Sequence, residues 1–375
     1  MEKFLKNLYK KFLDFDKHDF FVNTTKFSTS LSELNLSKKI LDKFFDNYYK
    51  PSFFTFLKNV KALLYSENAF EFILKTSSED WKLWPYLKFL KDEKVISVGK
   101  DGKVSLFKKE ILKIIPKPQT AEEIKDKIER KLKIKIKKGE PIINLFKEFQ
   151  DFVVKAKWDQ MPISQESAVF VVQKILENIP LNKKFLFVGD DDFISVVLGL
   201  VEPNIESLVI DADEQLLGCL NILAKEFNLK IETKKVDIRK TKNLGEKFVG
   251  FLANPIYTAA GVKEFIKFGK NQLGKDGGTV FLEVGDESIG NQFLFLQDFF
   301  SKNNLVIKEL ITEKIYYPWI SLYKEDQEIM RRFSGIIDEK IINKSPKLGA
   351  SLYIFDFLPL RPQKIKFKKP IYAYL

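Results

Sequence analysis

Cysteine and histidine are almost absent from this sequence. Cys219 is the one thiol and His18 the one imidazole in 375 residues. A single cysteine excludes an internal disulfide and a cysteine-ligated zinc centre. A single histidine, set in a charged N-terminal segment, excludes a Ser–His–Asp triad and a histidine metal site, so no metal is expected. No apolar run approaches the ~20 residues needed to span a bilayer. The opening stretch, MEKFLKNLYKKFLDFDKHDF, interleaves charge throughout and has no uninterrupted apolar core of the kind found in a signal peptide. A soluble, cytoplasmic protein without a membrane partner is the expectation. Also missing is G-x-G-x-x-G, the glycine pattern that lets a backbone close on a dinucleotide pyrophosphate.

What the chain does have is lysine. Sixty-three Lys and Arg stand against 51 Asp and Glu, a net charge of +12. The excess is spread over almost every segment, with some concentration at 124–138 and 364–369. A diffuse excess reads as a solvated surface, so a nucleic-acid partner is not expected. Together with many Ile, Glu and Phe and few Cys and Met, it also fits a protein adapted to heat.

Four regions follow from pattern. Residues 1–115 read as amphipathic helices, including one over Leu31–Tyr49 that Ser32 could cap, and then a winged-helix-like ending. That ending comprises a helix over 69–78, a second over 80–93 in which Trp81, Trp84 and Tyr86 pack, and two short strands around Asp101-Gly102, a hairpin signal. Residues 116–140 read as a proline-containing linker and a charged helix, 141–360 as the catalytic domain, and 361–375 as a basic, aromatic tail that either closes over the site or packs on the protein. Within 141–360 strands alternate with helices: strands at 185–188, 207–213 and 229–239, a strand followed by a turn over 250–258, a strand at 277–285, and two later strands at 305–317 and 350–358. That alternation implies an α/β fold with a doubly wound, mostly parallel, Rossmann-like sheet.

In such a sheet ligands bind beyond the carboxyl ends of the strands. The segment KKFLFVGDDDFISV, residues 183–196, is a strand, a glycine turn at Gly189 and a helix start, with Asp190, Asp191 and Asp192 in the turn. Three adjacent carboxylates repel a pyrophosphate and suit a cation. Asp211 and Asp213 end the second strand, where a carboxylate accepts both hydroxyls of a ribose. Asp237 ends the third, where it could accept the exocyclic amine of an adenine. Recurring acids without a phosphate grip point to a nucleoside bearing a positive centre, a sulfonium.

At these residues the chain resembles the branched-chain polyamine synthases, the N4-bis(aminopropyl)spermidine synthases. The resemblance is carried by GDDD at 189–192, VIDADEQLL at 209–217, NPIYT at 254–258 where the family has DPPYT, WDQ at 158–160 and SLYIFD at 351–356. It implies a class I methyltransferase-like catalytic domain behind an N-terminal winged-helix-like domain. It further implies an aminopropyltransferase with no tightly bound cofactor, using decarboxylated S-adenosylmethionine as co-substrate and spermidine as acceptor, in a protein compatible with a homodimer. Asp191 would contact the attacking nitrogen, with Asp190 and Tyr257 as further catalytic residues. Gly189, Asp190, Asp211, Asp213, Asp237, Asn254 and Gln160 would hold the donor, and Asp192, Asp159, Tyr257 and Glu283 the polyamine. Asn254 and Ile256 depart from the family motif toward the NPPY-like motif of amino-group methyltransferases, so methyl transfer to an amino group of RNA or DNA stands as the alternative.

Overall fold

The computed structural model describes residues 2–27, 50–76, 80–146, 160–181, 183–318, 324–334 and 345–359, with a few isolated positions between them. Asp159, the tail 361–375, most of the helix expected over 31–49 with Ser32, and the side chain of Trp81 lie outside the described residues. Among the described residues no helix is long and apolar enough to cross a membrane.

The chain divides into two compact units, the first centred on Met1–Ile111 and the second on Leu112–Phe357. In the first, α1 (Glu2–Phe27), α2 (Phe53–Leu64), α3 (Glu71–Thr76) and α4 (Asp80–Asp92) precede a hairpin of β1 (Ile96–Val98) and β2 (Val104–Leu106). Its core is aromatic. Phe12 lies 4.4 Å from Tyr86, 5.0 Å from Phe56 and 5.3 Å from Phe89 between ring centroids. Tyr86 can be buried because its hydroxyl accepts a hydrogen bond from Asn59. Trp84 departs from the expectation that it packs: it faces away from that core and is 55% exposed.

The second unit opens with α5 (Ala121–Leu132), started by a reciprocal capping box between Thr120 and Glu123. Its apolar face, Ile124 and Ile128, is buried on the unit's own helices. After α6 (Gln165–Asn178) come β3 (Lys184–Val188), α7 (Ile194–Val201), β4 (Glu206–Asp211), α8 (Glu214–Glu226), β5 (Ile231–Lys235), β6 (Gly250–Ala253), α9 (Ala259–Asn271) and β7 (Gly278–Val284). The remaining elements are a single turn at Asp286–Ile289, α10 (Phe293–Lys302), β8 (Leu305–Pro318), α11 (Lys324–Ser334) and β9 (Pro346–Phe357).

The seven strands lie in the order β5-β4-β3-β6-β7-β9-β8. From β5 to β7 every pairing is parallel, whereas β9 runs antiparallel between β7 and β8. This is a class I methyltransferase-like α/β sheet. Helices cover both faces, which is why β3 reads as a continuous apolar run and β7 is buried along its whole length. Leu186 and Val188 join the core that α9 and α10 cover. Phe185 and Phe187, on the opposite face, stack edge-on at 5.1 Å. The chain leaves β3 toward β4 and β5, then crosses back to β6. That reversal opens a crevice at the carboxyl ends of β3, β4 and β6.

Candidate active site

Register brings three strand ends together at Gly189. Val188 pairs with Ile210 on one side and Ala253 on the other, so the next residues, Gly189, Asp211 and Asn254, converge. Gly189 has φ +79°, a left-handed conformation that glycine adopts without steric cost. A Cβ there would lie 3.2 Å from the Asn254 carbonyl oxygen and 3.9 Å from Asp211 Oδ2. The glycine thus permits both the turn and the close approach of its neighbours.

The three aspartates that follow do not form the uniformly open anionic mouth that their adjacency suggests. Asp190 is 1% exposed and turns back into the start of α7. Its Oδ1 accepts the amide of Ile194 at 2.8 Å and its Oδ2 that of Ser195 at 3.1 Å. It caps the helix from four residues upstream, because Phe193, at the usual capping position, offers no side-chain oxygen and sits at φ 54°. A left-handed phenylalanine is strained by about 1–3 kcal/mol. The fully buried Phe193 ring, 5.9 Å from Phe146, helps hold it there. Asp190 therefore has a folding reason to be acidic, and its oxygens turn toward the start of α7. Burial drives its pKa well above the usual carboxylate range.

Asp191 and Asp192 are fixed from across the crevice by the segment entering α6. Asp191 Oδ2 accepts the Met161 amide at 2.8 Å, and Asp192 Oδ1 accepts the Ile163 amide at 2.7 Å. From β6, Asn254 Nδ2 donates to both, at 3.2 Å to Asp191 Oδ1 and 2.7 Å to Asp192 Oδ2. A carboxylate at 254 would replace those two attractions with repulsions, so the amide suits this turn. Asp191 is 9% exposed, against 1% for Asp192 and Asp190. Of the three it is the most exposed.

Behind Asp192 lies Glu283 on β7, 0% exposed. The expected polyamine-channel residue is thus at the floor of the site. No N–H or O–H donor of the described residues reaches either of its oxygens. Its partner is the Asp192 carboxyl, and two carboxyls can hydrogen-bond only by sharing a proton. Burial pushes Glu283 up to about 8 and Asp192 well above the usual range, with Asp191 adding repulsion to both.

Tyr257 completes the group. Its hydroxyl lies 2.8 Å from that of Tyr317 on β8, and the rings meet edge-on at 6.4 Å. Burial raises both phenols well above their ordinary value, and nearby Asp192 and Glu283 act in the same direction. Gly285 makes room for the ring: a Cβ there would fall 2.8 Å from Tyr257 Cδ2 and Cε2. Sequence reading missed Tyr317, since Tyr316-Tyr317-Pro318 has no motif and only the strand register places it. It also missed the Met161 and Ile163 amides, which are backbone groups and leave no residue-type signal.

On the β4 side, Asp211 Oδ1 accepts the Asp213 amide at 2.7 Å, leaving Oδ2 toward Gly189. Partial burial raises its pKa. Asp213 caps α8 through the Gln215 amide at 3.1 Å and accepts from Gln160 Nε2 at 3.1 Å. Asp213 and Gln160 therefore tie the incoming segment to the β4 end and support the site from behind. Asp237 stands apart, two residues beyond β5. Its Oδ1 and Oδ2 are each held at 2.9 Å by the Arg239 guanidinium, which lowers its pKa to about 2. The carboxylate expected to be free for an adenine amine is engaged by a neighbouring cation instead.

Comparison with known proteins gives a consistent picture. The profile of the branched-chain polyamine synthase A C-terminal domain matches residues 145–343, just over half of the chain. An uncharacterized protein of Methanocaldococcus jannaschii is 32% identical over 162 residues, 42% of this chain and 41% of its own length. The N(4)-bis(aminopropyl)spermidine synthase of the same organism is 28% identical over 146 residues, 37% of this chain and 42% of its own. The matches thus span about two fifths of these relatives. A crystal structure of a Thermus thermophilus branched-chain polyamine synthase mutein, in complex with N4-aminopropylspermidine and 5'-methylthioadenosine, superposes with a TM-score of 0.47 at 18% identity. That alignment covers 87% of this chain and 94% of the other.

Proposed function

The chain belongs to the branched-chain polyamine synthase family, and from that premise we propose that it moves the aminopropyl group of decarboxylated S-adenosylmethionine onto the secondary amine of spermidine. The observation that carries the reading is the pairing, at one glycine turn, of a ribose-type acid with the most exposed of three adjacent acids and no phosphate grip. Asp211 Oδ2 faces the turn from the donor side, and Asp191 faces it from the acceptor side.

In the reaction the amine lone pair attacks the carbon bonded to the sulfonium. The C–S bond breaks, its electron pair stays on sulfur, and methylthioadenosine leaves as a neutral thioether. The amine must first shed a proton, so a carboxylate beside it both attracts the ammonium and accepts the N–H. Asp191 has that role. Its Oδ2 accepts from the Met161 amide and its Oδ1 from Asn254 Nδ2. Met161 and Asn254 fix its direction, which converts a flexible acid into an oriented one. The Tyr257 ring offers a face for a sulfonium or ammonium. Asp190, Asp213 and Gln160 act as positioning residues. Asp237 serves the donor's base only by releasing Arg239, so its contribution falls on donor affinity. The protein works in solution as a cytoplasmic enzyme in this reading.

Incubation with decarboxylated S-adenosylmethionine and spermidine should give equal amounts of methylthioadenosine and a branched tertiary amine. Absence of both products, with methyl transfer from S-adenosylmethionine to RNA or DNA instead, supports the alternative suggested by the Asn254–Tyr257 motif.

A further inference from the structure

The floor of the crevice contains four polar side chains whose hydrogen bonding does not close. Tyr257 and Tyr317 share one bond between two hydroxyls, so one O–H of the pair has no acceptor in that bond. Glu283 has two oxygens without a donor from the described N–H and O–H groups. Among the described residues no Lys or Arg pairs with Asp192 or Glu283. Two acids in contact and out of water, with no cation, are an arrangement that protein interiors avoid. The groups facing Glu283 come from three elements: Asp191 and Asp192 from the β3–α7 turn, Tyr257 from the β6–α9 connection and Tyr317 from β8. None is positive.

We propose that Asp192 and Glu283 form a proton-exchange subsite: the pair shares one proton while the site is empty and releases it to solvent when an alkylammonium group is seated beside Asp191. This deepens the polyamine reading and rests on it. A shared proton lets two buried carboxyls touch without a counter-charge. Seating a positive charge beside Asp191 changes which state is favoured, because the ammonium now stabilises a second negative charge. At a separation of about 6 Å and an effective dielectric near 20, one positive charge shifts the protonation ratio roughly a hundredfold. Burial raises both acids, so the empty pair keeps its proton, and a shift of that size moves it toward release. No covalent bond changes: one proton leaves as one ammonium enters. The net charge of the site is therefore the same before and after binding, and a neutral molecule of the same shape, which cannot offset the second negative charge, gains nothing from the exchange.

The test is calorimetric titration of the full chain with spermidine at pH 7, in phosphate and again in Tris. These buffers differ in ionisation enthalpy, so the difference in heat counts protons. The expected result is release of roughly one proton per spermidine bound. In Glu283→Gln the release disappears, and the remaining binding heat fits a weaker affinity. Asp192→Asn behaves alike and serves should Glu283→Gln fail to fold, each variant's fold being checked by its melting curve. Binding without proton release in the wild type overturns the exchange and leaves the polyamine reading standing. Release unchanged in both variants also overturns it, since the proton then comes from the ligand's own nitrogen. No binding heat at all overturns the polyamine reading and the exchange with it.

Discussion

Asp192 and Asp237 each stand just past the end of a parallel strand, and in the sequence little separates them. In the folded chain they are opposites. Asp192 is buried, touches a second acid and has its pKa driven up. Asp237 is gripped by Arg239 at the rim and has its pKa driven down to about 2. Proximity to a strand end therefore locates a residue near the crevice without deciding what it does there. The neighbours decide: Ile163, Asn254 and Glu283 for one, Arg239 and Lys240 for the other.

The sharpest way to break the comparison is to remove the acid proposed to face the substrate. Asp191→Asn keeps the shape and loses the proposed base, so kcat should fall about 10²–10⁴-fold, the usual contribution of a positioned base. Binding of methylthioadenosine, followed by calorimetry, should hardly change. Asp190→Ala tests the acid that faces inward. It leaves the Ile194 and Ser195 amides without their acceptor, at about 1–3 kcal/mol of folding stability, read from urea unfolding.

The next contrast is pH. Asp192 and Glu283 have raised pKa values, so the folded chain holds protons that the unfolded chain has lost between its ordinary value of 4.5 and about 8. Stability from this pair is present below that window and falls as pH rises through it. Asp237 has the opposite sign: its contribution is present above the ordinary 3.8 and is lost as pH falls toward 2, and it is small because the pair is solvent-screened. Melting temperatures of the unliganded protein should accordingly decline from pH 5 to 8, and Glu283→Gln should flatten that decline. Smaller still is Tyr317→Phe. Losing one neutral hydrogen bond to Tyr257 should cost about 0.5–1.5 kcal/mol in kcat/KM, measured by methylthioadenosine release.

The sheet was legible because burial on both faces writes apolar runs into β3 and into Val280–Leu282 of β7, and because glycine turns punctuate them. Sequence motifs also located Asp190–Asp192, Asp211, Asn254 and Tyr257 at one end of that sheet. Their division of labour was not legible. Whether Asp190 looks inward depends on Phe193, which cannot cap α7 and leaves that task to an upstream carboxylate. Whether Asp192 is buried depends on the Ile163 amide, 29 residues away. Tyr317 reaches Tyr257 across 60 residues through the β8 register, which local periodicity cannot encode. Trp84 failed for a related reason: a tryptophan on an amphipathic helix reads as core, yet the aromatic centre is filled by Phe12, Phe56 and Tyr86.

The most direct measurement sets Asp191→Asn beside Asp237→Asn under one assay, with decarboxylated S-adenosylmethionine and spermidine as substrates and kcat separated from the donor KM. The account predicts a collapse of kcat for Asp191→Asn, and for Asp237→Asn an unchanged kcat with at most a raised donor KM. Equal losses of kcat in the two variants would contradict it, because the buried acid cluster and the rim acid would then be doing the same work.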